Sequence, residues 1–161
     1  MAKTAAAAII LPIAFAAACG RRPAESRVKS VEAKIDGITC PTCVPPLKAS
    51  LKRQYNASAI DVDDDTDMAT VRFAKGESFS APDFQAAVER VRMRVVTLRL
   101  QACGTVETVN GRTWMTAGAS RFLLHADRAV PQNGSICADG ALDSRADPAT
   151  FEVSSFTENG K

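Results

Sequence analysis

The sequence predicts an α+β protein: a βαββαβ sandwich of ferredoxin-like order over residues 28–101, followed by a small all-β domain over residues 102–161. Three observations carry this expectation. Between Val28 and Leu100 apolar residues fall in short alternating runs and in two runs of helical spacing, in the order strand, helix, strand, strand, helix, strand. Beyond Ala102 the apolar runs are short, each bounded by Gly, Pro, Asn or Asp, and none has a helical period. A chain of 161 residues has room for one large domain or two small ones.

The first strand is VKSVEAKI, residues 28–35, which alternates from Val31 onward and stops at Asp36-Gly37. The first helix lies in LKASLKRQ, where Leu47 and Leu51 stand one turn apart and Lys48, Lys52 and Arg53 take the other side. Val44 and Pro45 each precede a proline, and such residues avoid the α region. The helix is therefore expected to start near Pro46, leaving Cys43 in an extended, exposed loop. Residues 59–62 make a short strand, DDDTD turns the chain, and MATVRF (Met68–Phe73) returns. Ser80 caps a second helix through Val91, with Pro82 in its first turn and Phe84, Ala87, Val88 and Val91 on one face. Residues 95–100 form the fourth strand.

The remainder contains ETVNGRTW, in which Asn110-Gly111 separates two strand-like runs, a strong hairpin signal. RFLLH, SICADGAL and TFEVSSF complete five short strands. Their spacing loosely resembles an OB-fold, which implies a small OB-like barrel. The resemblance places Cys103 on its first strand and Cys137 on its fourth, which are neighbours in that fold.

The N-terminus reads as a targeting segment. After MAKT, about 14 apolar residues run to Cys19, too few to span a bilayer, which needs roughly 20, but the length of a signal-peptide core. Ala16, Ala17 and Ala18 before Cys19 resemble a bacterial lipobox, with Ala16 in place of the favoured Leu. The resemblance implies a signal peptide over residues 1–18, lipid attachment at Cys19, and a polar tether over residues 19–27. The alternative is ordinary secretion with cleavage at an A-x-A-like site. Gly20 in place of Asp favours the outer membrane, so the expected location is the cell envelope, lipid-anchored and facing the periplasm. With Cys19 assigned to the lipid, four of five cysteines remain. Cys40 and Cys43 form a close pair, and in an oxidising compartment Cys103 and Cys137 are expected to form a disulfide.

The most informative stretch is DGITCPTCVPP, residues 36–46. Gly37, Thr39, Cys40 and Cys43 match the GMTCxxC motif, with Ile38 replacing Met. With the element order over about 75 residues, this resembles the heavy-metal-associated domain family, which includes copper chaperones and a periplasmic mercury-binding protein. The resemblance implies that Cys40 and Cys43 bind or transfer a soft heavy-metal ion, Cu(I) or Hg(II). Soft thiolates select such ions, and a following helix N-terminus favours the thiolate form. The implied partners are the membrane, through the lipid anchor, and a metal transporter or another envelope metal-binding protein. On this reading the chain is not an enzyme. Two rivals remain open. One is a structural or interaction lipoprotein whose CxxC is a plain disulfide. The other is a thiol–disulfide oxidoreductase, although Thr39 stands where such sites carry an aromatic residue.

Other signals carry less. A net charge of +2 gives no basis for charge-driven nucleic-acid binding. DVDDDTD has Asp at EF-hand spacing, but Thr66 and Arg72 stand where Gly and Glu are needed, so it reads as a solvated turn. His125, the only histidine, reads as structural. Arg90, Arg92, Arg94 and Arg99 read as a solvated basic face. Met68, Met93 and Met115 are scattered and read as packing residues.

Overall fold

The computed structural model describes residues 26–158. The expected targeting segment and Cys19 lie outside them. The described chain runs β1 (Arg27–Asp36), a 3₁₀ turn (Pro41–Cys43), α1 (Val44–Gln54), β2 (Ala57–Asp63), β3 (Met68–Phe73), α2 (Ala81–Glu89) and β4 (Arg94–Val109). It continues through β5 (Arg112–Ala117), β6 (Ser120–Ala126), β7 (Ser135–Asp143) and β8 (Thr150–Glu158).

All eight strands belong to one mixed sheet, in the order β2-β3-β1-β4-β5-β6-β8-β7. β7 also pairs with β4, so the last five strands close on themselves. This corrects the expected fold class. The chain does not form a ferredoxin-like sandwich followed by a separate OB-like barrel. It forms one large sheet with two short helices, and β4 runs unbroken from the helical half into the closed half. The reason lies in the residues at the expected join. Leu98, Leu100 and Ala102 are buried at alternate positions, and Val106 continues the inward face with no turn between. Cys103 and Gly104 are buried as well. A strand expected to stop at Leu100 thus extends to Val109 and serves both halves.

Gly104 and Gly140 make the close strand crossings possible. A Cβ on Gly104 would run into the carbonyl of Thr116, and one on Gly140 into the carbonyl of Glu152, so only hydrogen fits at either place. The Asn110-Gly111 turn has both residues at positive φ, 53° and 73°, as a tight two-residue hairpin requires.

The two helices pack on one face of β1–β4. Val31, Ala33 and Ile35 of β1, Leu47 and Leu51 of α1, and Phe84 and Val88 of α2 are all fully buried there. The same apolar cluster continues through Leu100 into Val106, Met115, Phe122, Ile136 and Phe151. Both halves therefore share one core. Ser50 of α1, itself buried, donates to the carbonyl of Ala87 at 2.6 Å and locks the helices together. Tyr55 closes the bottom of the core against Phe73, Phe79 and Phe84, and its hydroxyl donates to the carbonyl of Ser80 at 2.8 Å. Burial, reinforced by Asp83, pushes the Tyr55 phenol well above its usual range. The Ser80 cap is present, its hydroxyl accepting from the amide of Asp83 at 3.4 Å.

Candidate metal centre and the second cysteine pair

β1 delivers the CxxC. Asp36 is its last residue, Gly37 turns the chain at φ +108°, and Ile38 tucks into the core. Gly37 lies against Met93, whose Cγ would be 3.2 Å from any Cβ added there. Cys40 is extended at φ −163°, and Pro41–Cys43 make one 3₁₀ turn that brings the two sulfurs together. Cys40 and Cys43 are disulfide-bonded, with Cα atoms 5.4 Å apart. Thr42 Oγ1 lies 3.0 Å from Cys40 Sγ, and Thr39 Oγ1 lies 3.9 Å from Cys43 Sγ. Thr39, Pro41 and Thr42 are exposed, so the pair sits at the solvent-facing tip of the sheet's helical half.

The helix does not start late at Pro46. It starts at Val44, with Cys43 as its N-cap in the α region. Pro45 and Pro46 occupy the second and third helical positions, where a helix has no use for an N–H and a fixed φ is an asset. That gain outweighs the steric cost at Val44, which adopts φ −65° and ψ −48°. Cys43 is consequently half-buried and packs on the core rather than hanging in a loop.

This start has a chemical consequence. A helix normally presents four unbonded N–H groups at its N-terminus. Here Cys43 N–H donates to the carbonyl of Cys40 at 2.9 Å and Val44 N–H to that of Pro41, while the two prolines have none. None of these four residues leaves a backbone donor free to hydrogen-bond a thiolate. The sulfurs receive the helix dipole without a bond from these four residues' amides, with the Thr39 and Thr42 hydroxyls beside them, a weaker stabilisation than the motif alone implies.

Surrounding charges are paired or solvated. Arg94 meets Asp36 at 2.7 Å, and Arg72 meets Asp61 at 2.8 Å. In the β2–β3 turn the carboxylate of Asp63 accepts from the amides of Asp65 and Thr66. Contact with Thr66 and then Asp65 holds its pKa below the usual value, the behaviour of an Asp-turn and not of a cation cage. Among the described residues no group of three or more His, Cys, Asp or Glu gathers as metal ligands. His125 is exposed on β6, a strand that pairs with β5 and β8 and not with β1. Met115 is fully buried and Met93 nearly so.

Cys103 and Cys137 are also disulfide-bonded. They face each other directly across the β4–β7 ladder. Sequence reasoning missed their neighbour: Lys29 Nζ donates toward Cys137 Sγ at 3.8 Å. A signal existed. Val28 and Val31 are both apolar yet three apart, which breaks the alternation and requires an extra residue. The structure places a β-bulge there, between Val28 and Ser30, and Lys29 is the inserted residue.

No protein-family model matches the chain, and no curated protein sequence matches it.

Proposed function

We propose that the chain is a lipid-anchored envelope protein whose Cys40 and Cys43, when reduced, carry a soft metal ion as cargo. The observation that supports this most is the convergence of two sulfurs at a single 3₁₀ turn, with the hydroxyls of Thr39 and Thr42 beside them. Two thiolates from one turn satisfy the near-linear coordination of Cu(I) or Hg(II), whereas Zn²⁺ asks for four ligands. The resemblance of GITCPTC to heavy-metal-associated domains points the same way. Transfer would proceed by ligand exchange, an acceptor thiolate replacing each sulfur in turn. The acceptor is a metal transporter or another envelope metal-binding protein. The disulfide is the empty form, since oxidised sulfurs do not hold Cu(I).

A second reading has its own support. The helix start offers no backbone donor to a thiolate, which favours the oxidised pair and a structural or interaction role. An oxygen-free competitive Cu(I) titration of the full chain separates the two, beside Cys40→Ser/Cys43→Ser and with thiols counted first. One tightly held ion in the reduced parent and none in the variant is the expected result. Equal uptake by both proteins, or a pair that resists mild reductant, would leave the structural reading standing.

A further inference from the structure

The bond between Cys103 and Cys137 is placed oddly for a simple staple. Ala102, Ile136 and Ala138, its flanking residues, point into the core. The disulfide lies on the opposite, outer side of the β4–β7 pair and contributes nothing to the apolar cluster. Its two ends differ. Cys103 is 1% exposed. Cys137 is half-buried and lines an open cavity of about 450 Å³ with Lys29, Gln101, Ala138, Asp139, Ser155, Phe156 and Thr157. Lys29 reaches the sulfur only because the bulge in β1 turns an extra residue toward it. Bulges that re-aim one side chain are common beside reactive groups. The other charges near the pair are Asp139, ion-paired with Arg99, and Arg27, which stands opposite Cys103 in the β1–β4 ladder.

We propose that Cys103–Cys137 is a thiol–disulfide exchange centre in which Cys137 is the exchanging sulfur and Lys29 stabilises its thiolate. This is independent of the role of Cys40 and Cys43. The co-reactant is a thiol-bearing peptide or small thiol that fits the cavity, with Gln101, Ser155 and Thr157 as polar contacts. Its thiolate attacks Cys137 Sγ, a new S–S bond forms, and the Cys103–Cys137 bond breaks. Cys103 leaves as the thiolate and takes up a proton. A second thiol then attacks the co-reactant's own sulfur and releases Cys137 as the thiolate beside the Lys29 ammonium. Two thiols are oxidised to one disulfide, and the protein disulfide is reduced to a dithiol by the same two electrons. In reverse, Cys137 attacks a substrate disulfide and buried Cys103 resolves the mixed disulfide. A cation next to the accessible sulfur lowers its pKa and stabilises charge spread over the three sulfurs in the transition state.

The test uses the full chain with Cys40→Ser/Cys43→Ser, so that one pair remains. The oxidised protein is mixed with glutathione, quenched in acid, and the mixed disulfide mapped by mass spectrometry while circular dichroism follows folding. Glutathione should be found on Cys137, in protein that is still folded. In the reverse direction, Lys29→Met should slow the attack of reduced Cys137 on oxidised glutathione near neutral pH by roughly three- to tenfold, the loss of thiolate being partly offset by higher intrinsic nucleophilicity. In the reduced form the pH midpoint for alkylation of Cys137 should rise in Lys29→Met, and Lys29→Arg should keep the parental rate and midpoint. Glutathione on Cys103, exchange only after unfolding, or an unchanged rate and midpoint in Lys29→Met would each overturn the proposal.

Discussion

The two disulfides differ in almost every physical respect. Cys40–Cys43 closes a loop of three residues inside one turn, at the tip where β1 hands over to α1. Cys103–Cys137 joins residues 34 apart and welds the strand that both halves share to the strand that closes the sheet. The first pair restrains little that the turn and the two prolines do not already restrain. The second removes a long loop from the unfolded ensemble. Stability is therefore concentrated in the long pair, while each pair keeps a sulfur within reach of solvent. The short pair can be opened at small cost to the fold. The long one holds the fold together yet keeps one sulfur at the surface beside a lysine.

The comparison breaks most visibly by deletion. Cys103→Ala/Cys137→Ala should lower unfolding stability by about 4 kcal/mol on the loop-entropy relation, read as a fall in the urea midpoint. A loss near zero would mean that β4 and β7 hold each other without the bridge. Cys40→Ser/Cys43→Ser should cost at most about 1.6 kcal/mol on the same relation. α1 has its own anchors in Leu47, Leu51 and the Ser50–Ala87 hydrogen bond. If instead that variant unfolds as readily as Cys103→Ala/Cys137→Ala, the CxxC is a structural element and the cargo reading loses its main premise.

The smallest effect is a pH probe of the core shared by the two helices, at Tyr55. The Tyr55 phenol is held protonated in the folded state, with its pKa raised from 10.0. Its contribution is complete below the unfolded value and is lost as pH rises past about 10 toward the folded one. Tyr55→Phe removes the hydrogen bond to Ser80, costing about 1 kcal/mol at neutral pH, and should flatten the alkaline fall in stability. Thermal melts of both proteins between neutral and strongly alkaline pH check this. An alkaline fall of the same steepness in both would assign it to other groups.

Much of the local structure was legible. Met68–Phe73 is a strand with the expected bounds, Ser80 caps α2, and Asn110-Gly111 makes the hairpin turn. These features depend on side-chain alternation, one hydroxyl and two permissive residues, all local in sequence. The start of α1 was misjudged because the penalty before proline is also local, whereas the gain from proline in a first turn depends on a helix that already exists. Lys29 was overlooked because a bulge reads as noise in an alternating pattern until the partner strand is known.

By itself the sequence determined most of the elements, their order and the chemistry on offer: a CxxC at a strand-to-helix turn and two further cysteines. Only the tertiary structure decided that eight strands form one sheet, because β4 carries no turn and both halves bury against the same apolar cluster. Only it showed that every N–H at the head of α1 is spent or missing. Those outcomes depend on partners far apart in the chain, and hydrogen bonds and burial are satisfied only in three dimensions.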